Sequence, residues 1–151
     1  MASWEEVVEC KVNTELRPQV LRRSSEMKRV YDVHRLEASR MYSCHGDYIK
    51  ATYMTNGATT TFTQNKFPYN VAENIHHHTL WSLKPLTERQ IKKELKAYLP
   101  NVDPKHTVFF VNERRYQSVP ELWHCQVFWK LAGDSRTALS SGLATVARRL
   151  V

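Results

Sequence analysis

The segment over residues 122–131 constrains the fold of this chain most strongly. In it, one set of side chains alternates strictly with another: Trp123, Cys125, Val127 and Trp129 against His124, Gln126 and Phe128. Successive side chains of a β-strand point to opposite faces of a sheet, so this period of two predicts a strand. We expect His124 and Gln126 to share one face of that strand.

Three further segments have features of strands. Residues 75–83 contain three consecutive histidines followed by Thr, Leu and Trp, and residues 106–111 are rich in β-branched and aromatic side chains. Both compositions favour a pleated, buried surface. Residues 59–63 follow an Asn56-Gly57 turn and have strand propensity, but Phe62 is their one hydrophobic anchor. We therefore expect a mobile loop or an edge strand at residues 59–63.

Two capping boxes predict helix starts, because a hydroxyl and an acid or amide three residues later can satisfy each other's unpaired backbone N–H groups. One begins at Ser3 and the other at Thr87. A longer helix is predicted after Ser24 or Ser25. Asp47 is predicted to cap another short helix.

The tail over residues 134–151 predicts an amphipathic helix. Its apolar side chains recur at intervals of three and four: Leu139, Leu143, Val146, Ala147 and Leu150. Helices come first in the chain and strands cluster later, which predicts an α+β fold. We expect N-terminal helices packed on a small, mainly antiparallel sheet, with a C-terminal amphipathic helix. That helix is a candidate contact between copies of the chain.

Length and composition favour one domain over residues 1–151, because 151 residues with 42% hydrophobic side chains suffice for a single core. No run approaches the ~20 apolar residues of a membrane helix. The first residues include Glu5 and Glu6 and lack the apolar core of a signal peptide. Three scattered cysteines fit neither a disulfide framework nor a zinc motif. We therefore expect an intracellular protein, cytoplasmic or nuclear and not secreted.

The net charge of +7 favours anionic partners. A basic surface raises the local concentration of phosphates and nucleic acids. The charge is spread over several Lys and Arg pairs, however, so a solvated basic surface is the better explanation of it.

Two pairs of motifs carry a resemblance to a known family. Residues 65–71 and 75–82 read NKFPYNV and IHHHTLWS, and residues 110–112 and 117–128 read FVN and QSVPELWHCQVF. Together they resemble the uncharacterised family that includes the N-acetylglucosamine-induced protein of yeasts and its fungal relatives.

The resemblance covers about residues 21–128, more faintly in the N-terminal half, where Tyr31 and Tyr48 are in the expected order. The basic tail over residues 134–151 lies outside it. The resemblance implies a site and no particular reaction. The shared positions are Asn65, Pro68, Tyr69, His77, Trp81, Asn112, Ser118 and His124. The sequence departs from the family in three places. Lys66 replaces an acid, Gln126 replaces a second histidine, and the loop around Thr59 is shorter.

A histidine pair is the candidate catalytic centre. By alternation, His77 shares a face with Thr79, and His124 shares a face with Gln126. If the two strands are neighbours, His77 and His124 can converge on one cleft, with Asn112 and Ser118 beside them. Two imidazoles can act as acid and base at neutral pH, and an amide can stabilise an oxyanion.

This centre predicts acid–base hydrolysis of a phosphoester or a nucleotide-like substrate. Arg114 and Arg115 are predicted to hold the phosphate. The other predicted substrate-binding residues are Asn65, Lys66, Tyr69 and Gln126.

The histidines fit equally well as hydrogen-bonded members of a sheet packed under Trp81, Trp123 and Trp129. Three further alternatives remain open. A three-histidine metal site lacks a neighbouring carboxylate, and adjacent histidines of a strand face opposite sides, so we predict neither a metal nor a cofactor. The second alternative is a non-catalytic basic module that binds nucleic acid or an acidic protein. The third is an assembly protein that associates through its tail.

Overall fold

The computed structural model describes residues 1–133 and the backbone of residues 145–148. Its longer elements, in chain order, are α1 (Trp4–Val12), α2 (Arg17–Val20), α3 (Ser25–Ser39), α4 (His45–Tyr53), β1 (Thr60–Gln64), β2 (His76–Ser82), α5 (Glu88–Tyr98), β3 (Thr107–Phe110), β4 (Trp123–Trp129) and β5 (Thr145–Arg148). Short 3-10 turns occur at Thr14–Leu16, Pro104–His106 and Arg114–Tyr116. The α+β class predicted from the sequence is confirmed.

The strands form one antiparallel sheet in the order β3-β4-β2-β1-β5. In the register of the two central strands, β2 and β4, Thr79 lies opposite Gln126. His77 lies opposite Phe128, and Trp81 lies opposite His124. Directly opposed residues share a face of an antiparallel pair. His77 and His124 are therefore on the same face, as the alternation predicted.

One face of the sheet packs against α5. Leu80 and Val127 from the central strands contact Ile91 and Leu95 of this helix within one buried apolar cluster. The helix begins at the predicted capping box of Thr87, whose hydroxyl accepts from Gln90 N. Hydrophobic packing fills most of this face, and the polar groups buried in it include Glu94 of α5 beside Thr60.

The opposite face has apolar packing at its two ends and polar side chains between them. At one end Phe128 packs with Val7 of α1, and at the other end Trp81 packs with Ile49 of α4. Between these clusters is a set that we call the polar centre: Thr63, His77, Thr79, His124 and Gln126, all buried. Buried polar groups must find partners, so this set defines where a site can form.

The position of β1 corrects the expectation of a mobile loop or an edge strand at residues 59–63. The strand is buried and lies between β2 and β5. Its threonines are accommodated because their hydroxyls have buried partners. Thr60 Oγ1 lies 3.3 Å from Glu94 Oε2, and Thr63 Oγ1 accepts from Trp81 Nε1 at 3.0 Å.

The helix starts agree with the predictions in three cases out of four. Capping boxes at Ser3 and Thr87 are present, and Ser24 caps α3. The prediction for Asp47 is wrong, because α4 begins after Cys44 and Asp47 lies inside its first turn. The capping acceptor comes instead from a distant part of the chain.

The C-terminal amphipathic helix is also corrected where the structure describes the tail. Residues 145–148 form β5, which pairs with β1. The outer edge of β1 offers a row of backbone hydrogen-bonding groups, and a strand satisfies them where a helix cannot. The rest of the predicted helix, residues 134–144 and 149–151, lies outside the described residues. The predicted contact between copies through this helix stays a prediction.

Within residues 1–133 and 145–148, no helix combines the length and the apolarity needed to cross a membrane.

Candidate functional site

A cavity lies over the polar centre of the sheet, beneath α3 and α4. It encloses about 70 Å³. The sheet contributes Thr63, Gln64, Thr79, Trp81, His124 and Gln126 to its wall. Its two cationic wall residues are Arg23 and Lys66, and no Asp or Glu is among the residues that line it within the described part of the chain. We call this space the inner cavity.

His124 contributes a ring nitrogen whose state is defined by its partner. The Nδ1 atom lies 2.9 Å from Leu122 O, and a carbonyl can only accept, so Nδ1 carries the proton. The lone pair is therefore on Nε2. Burial lowers the pKa of His124, while the bond to Leu122 opposes that shift. The neutral ring is held as a base in the wall of the inner cavity.

His77 is in a different environment and does not line the inner cavity. Its ring is stacked on Phe128 at a centroid distance of 4.4 Å and also contacts Tyr69 at 4.8 Å. Nδ1 accepts from Tyr69 N at 3.2 Å, so Nε2 carries the proton and donates to Gln126 Oε1 at 2.6 Å. Burial lowers the pKa of His77 to about 3. Both nitrogens are occupied, and the residue remains neutral at physiological pH.

The register explains why the two histidines do not meet. His124 lies opposite Trp81, which is four positions from His77 on β2. At ~3.3 Å per residue this separates them by roughly 13 Å along the strands. They share a face, as predicted, but the structure does not bring them together in one acid–base pair.

A cluster of rings from α3, α4 and the β1–β2 connection covers the inner cavity. His34 of α3 is 5.5 Å from His45 and 4.8 Å from Phe67 between ring centroids, and His45 is 5.2 Å from Tyr48. Burial, the nearby Arg35 and His34 lower the pKa of His45 to about 4. Its Nδ1 is the one buried side-chain nitrogen or oxygen without a hydrogen-bond partner in the described residues. Such a group is costly unless a ligand or water satisfies it.

Three side chains, Arg23, Tyr31 and Ser118, line both the inner cavity and a larger neighbouring groove. Tyr31 donates from its hydroxyl to Ser118 Oγ at 2.9 Å. The Arg23 guanidinium lies 3.9 Å from the centre of the Tyr31 ring, and its Nε donates to Phe67 O at 2.7 Å. We call these three residues the partition.

The neighbouring space, which we call the outer groove, holds about 440 Å³. Tyr69 and Asn112 are part of its wall. Asn112 donates from Nδ2 to the Tyr69 hydroxyl at 3.3 Å, and its carbonyl accepts from Gln117 Nε2 at 2.7 Å. Burial raises the pKa of the Tyr69 hydroxyl, so this group stays protonated.

The predicted site residues therefore fall into four groups. The inner cavity is lined by Asn65, Lys66, Ser118, His124 and Gln126. His77 lies behind the wall of the inner cavity, where it is bonded to Gln126. Tyr69 and Asn112 line the outer groove. Arg114 and Arg115 are exposed on the turn Arg114–Tyr116 and line neither space, and Arg115 pairs with Glu113 at 2.8 Å.

The sequence did not predict that residues from the N-terminal helices cover the inner cavity. Arg23, Tyr31, His34 and His45 come from helices or helix junctions far from the strands in sequence. The order of Tyr31 and Tyr48 in the N-terminal part of the family resemblance was the available signal.

No group of three or more His, Cys, Asp or Glu side chains in the described part of the chain could hold a metal ion.

A family match decides the classification, since residues 3–130 match the family described as protein of unknown function (DUF3605). The chain belongs to the DUF3605 family. The resemblance to the N-acetylglucosamine-induced protein in particular stays a prediction. A search of curated proteins found no match.

A solved structure supports the fold of this DUF3605 protein. The crystal structure of HTC1 superposes with a TM-score of 0.63 at 22% identity, over 87% of this chain and 86% of that one. At that identity the likeness concerns the fold alone.

Proposed function

We propose that this DUF3605 protein binds a small anion, a phosphoryl or carboxylate group, in the inner cavity. The observation that carries the proposal is the charge of the wall, which has Arg23 and Lys66 and no carboxylate among its described residues. Charge-assisted hydrogen bonds from such groups to an anion are about twice as strong as neutral ones. The unpartnered Nδ1 of His45 supports the proposal, because an anion oxygen can accept from it.

The size of the inner cavity favours a small group over a whole nucleotide. A cavity needs roughly 10–15 Å³ to hold one water molecule. The inner cavity, at about 70 Å³, has room for about five such positions. Inorganic phosphate, with five heavy atoms, or a small carboxylate is of that size. A phosphoryl group at the end of a longer molecule also fits.

The neutral histidines His45 and His124 provide further hydrogen-bonding groups for the anion. His45, with its pKa lowered to about 4, is uncharged near pH 7 and can donate one N–H. His124 presents the lone pair of Nε2, which suits the hydroxyl of a protonated phosphate or of an organic phosphate. The positive charge then comes from Arg23 and Lys66.

Acid–base hydrolysis of a phosphoester is the second candidate, and the orientation of His124 favours it. Its Nδ1–H is fixed by Leu122 O, so Nε2 is available as a general base. The two-histidine form of this mechanism loses support, because His77 has both nitrogens bonded beneath the cavity floor. Phosphate release from a phosphomonoester that is lost in His124→Asn would favour hydrolysis over binding alone.

Binding of nucleic acid or of an acidic protein is supported by the net charge alone. Arg114 and Arg115, which the sequence predicted to hold a phosphate, are exposed and lie outside both the inner cavity and the outer groove. A solvated basic surface accounts for them equally well.

Calorimetric titration with inorganic phosphate at constant ionic strength tests the proposal. Arg23→Gln is expected to weaken binding roughly tenfold or more, because a hydrogen bond to a charged group contributes about 1.5–3 kcal/mol. Lys66→Gln is expected to weaken it about threefold, because this lysine is exposed at the rim of the cavity and solvent screens its charge.

Lys93→Gln is the matched control, since this exposed lysine of α5 removes the same charge away from the cavity. Binding in the control should equal that of the unaltered protein. Equal weakening in Lys66→Gln and Lys93→Gln would show that phosphate affinity depends on the net charge of the protein and not on the position of Lys66. The absence of heat with millimolar phosphate, sulfate and acetate would reject the proposal.

A further inference from the structure

The inner cavity and the outer groove adjoin each other, and the partition is their common wall. Arg23, Tyr31 and Ser118 line both spaces. Within the partition, the Tyr31 hydroxyl donates a hydrogen bond to Ser118 Oγ at 2.9 Å, and the Arg23 guanidinium lies over the Tyr31 ring. A neutral hydrogen bond of this kind contributes little net stability, because both groups can bond to water when it opens. The two spaces are therefore separated by these three side chains alone, close enough for one molecule to contact both.

The outer groove has the dimensions of a small-molecule site. Its volume of about 440 Å³ lies within the roughly 300–1,000 Å³ typical of such sites. Tyr31, Tyr69 and Tyr116 supply flat apolar surfaces, and Asn112 supplies a polar group. The groove can therefore contain the carbon skeleton of a molecule whose anionic end occupies the inner cavity.

The wall of the outer groove has five basic side chains and two carboxylates, Asp32 and Glu113. Two of its basic side chains are already engaged: Arg17 donates to the carbonyls of three residues, and Lys28 pairs with Asp32 at 2.7 Å. Arg22 and Arg35 line the same groove, and neither has an ion pair within the described residues. The Arg35 guanidinium lies 5.9 Å from the centre of the Tyr31 ring and is therefore next to the partition.

We propose that the two spaces form one bipartite site for an organic phosphate that carries a second anionic group. The phosphoryl group occupies the inner cavity beside Arg23, and the second anion lies in the outer groove beside Arg35. This inference rests on the proposed function, because it assigns the inner cavity to the phosphoryl group. It adds the class of ligand and the role of Arg35.

Three probes separate the two subsites: inorganic phosphate, glycerol 3-phosphate and 3-phosphoglycerate. The last two have the same carbon skeleton length and a phosphoryl group, but only 3-phosphoglycerate has a carboxylate. The protein is expected to bind 3-phosphoglycerate about threefold more tightly than glycerol 3-phosphate, because Arg35, like Lys66, is exposed and solvent screens its charge. Arg35→Gln is expected to reduce that ratio to about one while it leaves the affinity for inorganic phosphate within twofold.

Arg29→Gln is the control, because Arg29 is an exposed residue of the same helix that lines neither space. It should preserve the preference for 3-phosphoglycerate. Equal affinities of the unaltered protein for 3-phosphoglycerate and glycerol 3-phosphate would overturn the bipartite site, and so would an equal loss in Arg29→Gln and Arg35→Gln. In either case measurable phosphate binding that depends on Arg23 would leave the proposed function standing. Failure of all three probes to bind would reject both.

Discussion

Single residues on one face of the sheet divide into those that hold the fold and those that remain available to a ligand. Thr79 and Gln126 form the midpoint of the polar centre, and Gln126 uses its carbonyl oxygen to accept from His77. His77 is thereby bonded at both ring nitrogens, whereas His124 has one nitrogen committed to Leu122 O. The number of partners, more than the residue type, distinguishes the structural histidine from the candidate functional one.

The buried His77 predicts a specific loss of stability in acid. Its pKa is lowered from 6.5 to about 3 by burial, so the unfolded chain takes up a proton first as the pH falls. Stability from this residue is complete above pH 6.5 and decreases as the pH falls towards 3. At 1.36 kcal/mol per pH unit, the contribution of His77 to the unfolding free energy should fall by about 2 kcal/mol between pH 7.5 and pH 5, in addition to the loss from His45, whose pKa is also lowered. Urea denaturation at the two pH values measures it.

His77→Gln should remove this pH-dependent component while it lowers stability at pH 7.5 through lost stacking on Phe128. Gln126→Ala is the control, because it breaks the hydrogen bond but keeps the buried imidazole. The control should therefore retain the steep decline. An unchanged decline in His77→Gln would show that other groups titrate, and that His77 is not the acid-sensitive residue.

For single residues, the sequence predicted on which face of the sheet a side chain lies, but not which side chains lie close together. Alternation correctly assigned His77 and His124 to one face, because the side-chain period of a strand is local. The four-position offset between them depends on how β2 and β4 are aligned, which a single sequence does not reveal. The contribution of Arg23 and His45 depends on helix docking and could not be inferred from neighbouring residues.

Among the elements, α4 connects local capping to the site. The helix supplies His45, Tyr48 and Tyr53 to the inner cavity. Its first turn is capped by the Glu121 carboxylate, which accepts from Gly46 N at 2.7 Å. A Cβ at position 46 would lie 2.7 Å from Glu121 Cγ, so glycine allows this approach. The segment before β4 thereby fixes the end of the helix that covers the cavity.

Loss of this cap is expected to destabilise the protein modestly. Glu121→Ala leaves the N–H of Gly46 without its acceptor, and replacement of a capping side chain by alanine typically costs about 0.5–2 kcal/mol. Chemical denaturation measures the difference. Glu113→Ala is the control, because Glu113 forms an exposed pair with Arg115 that is expected to contribute under about 1 kcal/mol. Equal effects in the two variants would contradict a capping role for Glu121.

Helices and strands whose signal lies in neighbouring residues were predicted. Those that depend on contacts with residues distant in sequence were not. The boxes at Ser3 and Thr87 and the alternation over residues 122–131 involve neighbouring residues, so the sequence contains them. Residues 59–63 looked poorly anchored because the partners of the threonine hydroxyls, such as Glu94 and Trp81, are distant in sequence. The spacing of apolar residues in the tail suggested a helix, whereas the unpaired edge of β1 favours a strand at residues 145–148.

For the whole molecule, the pairing of β5 with β1 determines which edge of the sheet is exposed. The order β3-β4-β2-β1-β5 makes β1 an edge strand if β5 is removed. Most of β1 is uncharged and β-prone, with the sequence TTFTQ. An exposed strand of this composition is a template for pairing with another chain. The C-terminal segment is therefore expected to oppose association through this edge.

A pair of truncations tests that role and distinguishes it from the assembly contact first predicted for the tail. The chain ending at residue 133 lacks β5 but keeps all residues of the family match, 3–130. It is expected to fold and to form dimers or larger species in light scattering, because the edge of β1 has lost its partner. The chain ending at residue 148 keeps β5 and should match the mass of the full chain. If the full chain is oligomeric and the 133-residue chain is a monomer, the tail joins copies of the protein, and the protective role of β5 is wrong.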